Sequence, residues 1–133
     1  MLGRNFRLRA SNTQNQNITV TLTARFWKYD SVGALVYSAE QTLISAVSVT
    51  ATSGTAASSA VDNSSTLWIG AEFTLSCAAA SATNGAGAVT VTLERSTDAG
   101  TTWPTAGQGE IVGGLTLVAG DGTSARLKNL TTD

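Results

Sequence analysis

Apolar and polar residues alternate with a period of two along most of the chain. In NITVTLTARFW, Ile18, Val20, Leu22, Ala24 and Phe26 share one face, and Thr19, Thr21, Thr23, Arg25 and Trp27 share the other. Successive side chains of a strand point to opposite sides, so this pattern predicts a strand with one side on a core. NFRLRA repeats it, with Phe6 and Leu8 opposite Arg7 and Arg9. LWIGAEFTLSC puts Leu67, Ile69, Ala71, Phe73, Leu75 and Cys77 in line, and AVTVTLERS puts Val89, Val91 and Leu93 inward. LISAVSVTA, GLTLVA (Leu115, Leu117) and SARLKNL complete the set. YDSVGALVY places Asp30, Ser31 and Gly33 between two β-rich runs, a hairpin signature.

No stretch combines helical spacing with a cap and a stop, and Pro104 is the only proline. About seven to eight short strands between turn-rich segments predict an all-β, single-domain antiparallel β-sandwich or jelly roll over residues 1–133. No internal repeat suggests a propeller or solenoid. Residues 1–12 are expected as a docking arm or an edge strand. Residues 50–65, with few large apolar groups, are expected as a flexible loop, and AAASATNGAGA as a second small-residue loop.

Composition sharpens this picture. The chain holds 14 serines and 21 threonines, and β-branched threonine suits half-buried strands. Charged residues are only 13% and the net charge is -1, so the basic excess of a nucleic-acid binder is missing. Histidine is absent, which removes Ser-His-Asp and Cys-His nucleophiles and the usual zinc ligand sets. Cys77 is the single cysteine and falls in line with core positions, so it reads as a small buried hydrophobe. No apolar run reaches membrane length and no hydrophobic signal region follows Met1, so neither membrane nor secretion is expected. The sequons at Asn17, Asn63 and Asn129 then read as chance in a threonine-rich chain.

Charge is unevenly placed. Arg4, Arg7, Arg9, Arg25 and Lys28 precede the first acidic residue, Asp30, whereas the rest of the chain has three basic and nine acidic residues. Either the two regions pair within one sheet, or a basic segment docks on an acidic neighbour such as another copy of the chain.

One stretch, STDAGTTW, follows the strand VTVTLER. Asp98 is placed to accept backbone N–H groups in an Asx-type turn, and Gly100 to supply positive φ. Ser96 and Thr102 carry hydroxyls that tie the ends, and Trp103 is the apolar plug. The octapeptide resembles the Asp-box of sialidase-type β-propellers at Ser96, Asp98, Gly100, Thr102 and Trp103. In that family the motif sits on hairpin turns away from the active site, so the resemblance implies folding. With one copy, in a chain too short for six blades, it does not imply sialidase activity.

A broader stretch, TLERSTDAGTTWP together with NITVTLTARFWKYDSVGALVYS, is similar to small β-sandwich structural proteins of tailed bacteriophages. Those serve as head decoration or cement subunits, fibre modules and tail or collar components. The resemblance implies a non-enzymatic virion protein that decorates or cements a larger assembly, capsid favoured, and assembles in the bacterial cytoplasm. Its partners would be other virion proteins and copies of itself in a homo-oligomer, with no nucleic acid, membrane, cofactor or metal. Candidate contacts are Arg4, Arg7, Arg9, Trp27 and Trp68, the two tryptophans lying opposite the aliphatic faces. The alternative is a carbohydrate-binding or adaptor module of a tail fibre or collar, with a host glycan on Trp27 or Trp68. A carboxylate-only hydrolase has one nominee, Glu94 with Asp98, but a pair at a strand end with one member in a turn reads as structural. AGDGT at 119–123 reads as a turn rather than a cation site, and GQGEIVGG lacks the lysine of a phosphate loop.

Overall fold

The structure, a computed structural model, describes residues 2–79, 88–117 and 126–132. Ten strands run through them: β1 (Asn5–Asn12), β2 (Ile18–Tyr29), β3 (Leu35–Tyr37), β4 (Gln41–Val49), β5 (Thr55–Ala57), β6 (Val61–Asp62), β7 (Gly70–Ala79), β8 (Val89–Ser96), β9 (Glu110–Leu115) and β10 (Arg126–Thr132). They form two antiparallel five-stranded sheets. In the first, β1 pairs β8 on one side and both β5 and β6 on the other, with β9 beyond β8. In the second, β2 pairs β7 on one side and both β3 and β4 on the other, with β10 beyond β7. This is the sandwich that period-two alternation predicts.

The core lies between the sheets. Phe6 and Leu8 of β1 and Val89, Val91 and Leu93 of β8 meet Ile18, Val20, Leu22 and Phe26 of β2 and Phe73, Leu75 and Cys77 of β7, all essentially inaccessible. Burying each such Val, Leu, Ile or Phe stabilises the fold by about 1.5–3 kcal/mol before entropy is counted. Burial also pushes the Cys77 thiol up to about 12, so the cysteine packs as a hydrophobe and supplies no thiolate at neutral pH.

Local detail departs from the alternation or goes beyond it. The 1–12 segment, described from residue 2, forms neither a free arm nor an edge: β1 is interior to its sheet. Its outer side is covered by 50–65, which carries β5 and β6 in place of an uninterrupted loop. Small residues let that segment lie against β1, where the Ser58 N–H donates to Leu8 C=O (2.8 Å) and the Leu8 N–H to Ser58 Oγ (3.1 Å). With β3 these short pieces raise the strand number to ten. In β4, Ile44 and Val49 are both buried although five residues apart. A bulge, with Ala46 at φ 47°, inserts the extra residue that turns both inward. Inward alternation in β7 begins only after Gly70, and Leu67 is an exposed turn residue at φ 57°. Finally, β9 starts at Glu110, ahead of GLTLVA.

Outside the described residues lie 80–87 of the second small-residue loop, the 119–123 turn and the end of GLTLVA.

Candidate functional site

The STDAGTTW turn closes as its residues dictate. Asp98 Oδ1 accepts the Thr102 N–H (2.8 Å) and the Ser96 hydroxyl (2.7 Å), while Oδ2 accepts the Thr102 hydroxyl (2.6 Å). The Gly100 N–H donates to Ser96 Oγ at 2.9 Å. Ala99 and Gly100 both take positive φ, 58° and 87°. Hydrogen bonds from Thr102 and then Ser96 hold the Asp98 carboxyl well below the usual range. All three side chains are thereby committed to the turn. Asp98→Ala is expected to lower the melting temperature and open the chain between Ser96 and Trp103 to limited proteolysis; an unchanged melt and digestion pattern would count against this role.

Trp103 connects the turn to the outer face of the first sheet. Its Nε1–H donates to Gly100 C=O (3.1 Å) and its ring carries the Arg7 guanidinium at 4.5 Å. Beneath, Glu94 is fully buried and accepts Arg7 Nε–H (2.6 Å) and Arg9 Nε–H (2.5 Å). The register explains the pairing: Arg7 lies directly across from Glu94, and Arg9 is the next residue on that face. Burial raises the Glu94 carboxyl, but the Arg9 and Arg7 guanidiniums outweigh it, so its pKa lies below the ordinary value. Two consequences bear on the sequence reading. Arg7 and Arg9 are engaged inside the chain rather than docked on a neighbour, and the charge asymmetry resolves by pairing within one sheet. Glu94 and Asp98 form no acid–nucleophile pair, since Glu94 is sealed under arginine. Arg4 alone of the three arginines is exposed.

Trp68 is also relocated. It packs at the margin of the core, stacked on Phe26 with centroids 6.4 Å apart, and Lys28 Nζ stands 5.1 Å over its ring. The 63–68 turn beside it is tied by buried Asn63, which accepts the Trp68 N–H (2.7 Å) and donates to Trp68 C=O (2.9 Å). Asn63 thus has a structural task and is closed to a glycan.

Trp27 does face outward, on the second sheet. Its indole lies across Gly70, directly opposite in register, and meets Tyr29 edge to face at 6.1 Å. The β2–β3 hairpin continues this surface. Tyr29 pairs Leu35 and Trp27 pairs Tyr37 across it. Tyr29, Val32, Leu35, Val36 and Tyr37 are all exposed, Val32 at 85%. Asp30 closes the tip by accepting the Val32 and Ala34 N–H groups at 2.9 and 2.8 Å.

Next to the aromatics, a groove of about 430 Å³ is lined by Thr23, Arg25, Glu40, Glu72, Thr74, Asn129 and Thr131. Sequence reasoning assigned none of these to a site. Their only signal is the outward half of the alternation, and nothing local says which strands stand side by side.

No known protein family, no curated protein and no solved structure matches the chain.

Proposed function

We propose that this chain is a non-enzymatic structural protein of a bacteriophage virion, a β-sandwich that decorates or cements a larger protein assembly, with the capsid as its first place. The observation that carries this is the β2–β3 hairpin, which holds five of the nine large hydrophobic side chains exposed among the described residues. A contiguous apolar edge free of acid and base from Ser31 to Ala39 is costly to leave in water and marks a protein contact. The phage resemblance of the same stretch, NITVTLTARFWKYDSVGALVYS, supplies the kind of assembly. Val32 and Leu35 would enter a neighbour's apolar pocket, and among the described residues no strand pairs β3 on its far side, which leaves that edge for strand addition.

Immunogold labelling of purified particles with antibody against this chain tests the reading. Label over heads is the expected result; label at the tail, collar or fibre tips would move the subunit there, and its absence from particles would overturn the proposal. The double substitution Val32→Ser with Leu35→Ser is expected to leave the fold intact, because both side chains are solvent-facing, while releasing the protein from particles. Full retention of that variant would remove the hairpin from the contact.

A further inference from the structure

We infer that the outer face of the second sheet binds a neutral oligosaccharide, a role beyond assembly through the hairpin tip. The groove floor is two cross-strand rows, Thr23–Thr74–Asn129 and Arg25–Glu72–Thr131, with Glu40 at its side. The adjoining row is Trp27–Gly70. A Cβ at residue 70 would come within 2.4 Å of the Trp27 ring, so glycine is what allows the indole to lie down on the sheet. Tyr37, across from Trp27, donates its hydroxyl to Glu72 Oε1 (3.2 Å) and carries the Arg25 guanidinium at 5.0 Å from its ring centre.

A pyranose ring presents two chemistries at once. Its C–H face packs against an aromatic surface, and its rim of hydroxyls both donates and accepts. The groove matches the second with a pure donor (Arg25), pure acceptors (Glu40 and Glu72) and groups of both kinds (Thr23, Thr131 and Asn129); Trp27 matches the first. Among the described residues no carboxylate stands within ion-pair distance of Arg25 and Glu40 has no hydrogen-bond partner. Their polar ends are therefore available to a ligand. One guanidinium against two carboxylates disfavours sulfated, phosphorylated or uronic-acid polymers, which is why the ligand is neutral.

The test is an array of neutral cell-surface and plant glycans, followed by calorimetry and tryptophan fluorescence with cellohexaose, maltohexaose and chitohexaose. Wild type is expected to be retained on at least one neutral glycan with a change in tryptophan emission. Trp27→Ala should weaken binding by about tenfold or more, as loss of a central aromatic does. Arg25→Gln, at an exposed position that leaves the core untouched, should weaken it several-fold with an unchanged melting temperature. The Val32→Ser/Leu35→Ser variant should bind as wild type does, which separates this site from the assembly contact. Failure of wild type on every neutral glycan, or equal binding by both groove variants, would overturn the inference without touching the particle-labelling result.

Discussion

Phe26→Ala is expected to destabilise the protein by about 4 kcal/mol. Phe26 is fully buried and joins three parts of the molecule. It lies on β2, meets Phe6 of β1 edge to face at 5.7 Å, and stacks with Trp68 of the 63–68 turn at 6.4 Å. Alanine would leave a cavity bordered by two large rings, each anchored on a different element and poorly able to follow the other inward. The lost ring pairs add about 0.5–1.5 kcal/mol each to the transfer cost. A domain of this kind is stable by only about 5–15 kcal/mol, so the variant would unfold at much lower urea. Urea melts followed by tryptophan emission measure this, with Trp68 as a local reporter. A loss under about 1 kcal/mol would mean that the site collapses freely, and that the rings are not the wedge between the sheets.

The second large effect is expected at Glu94. Glu94→Gln removes the negative charge on which Arg7 and Arg9 converge and leaves two largely covered guanidiniums beside each other, their side chains 18% and 14% exposed. Breaking such a cluster from one side costs about 3 kcal/mol, because the remaining charges stay desolvated without compensation. The pH dependence follows from the direction of the shift. Burial raises the carboxyl and the two guanidiniums more than reverse it, so the folded pKa lies below the ordinary 4.5. The unfolded chain then binds the proton more readily. The contribution is complete above about pH 4.5 and is lost as pH falls through the folded value. Urea midpoints between pH 7 and 3 should therefore drop on the acid side for wild type and fall less steeply for Glu94→Gln. A variant as stable as wild type at pH 7, with the same acid limb, would show that the cluster contributes nothing net. Asp98 is depressed in the same direction by its Thr102 and Ser96 hydrogen bonds, so its share of the acid loss persists in the variant.

The Asp98 turn and the Glu94 cluster differ in how much of their chemistry is legible in the sequence. Asp98, Gly100 and Thr102 act within five residues of one another, and local spacing was enough to assign each its task. Arg9 and Glu94 stand 85 residues apart, and nothing in NFRLRA distinguishes an arginine bound for a partner from one bound for β8. Trp68 misleads for a related reason: the alternation of LWIGAEFTLSC runs back to Leu67, whereas Asn63 holds that stretch in a turn and swings the indole onto Phe26. The groove was the least legible. Thr23, Glu72 and Asn129 come from three separate strands, and each alone is an ordinary outward polar residue.

What the sequence by itself determined is therefore the all-β class, the inward faces of β1, β2, β7 and β8, and the closure of the hairpin and Asp98 turns. Those follow from side-chain direction and backbone preference, which act over a few residues. The tertiary structure decided which strands became neighbours, and with that the interior place of β1 and the inward return of Val49 past the Ala46 bulge. It also decided the sealing of Glu94 and the rows that floor the groove. These depend on register between distant strands. Register is set by how the whole core packs, since a slip of one residue would send every buried side chain to the opposite face.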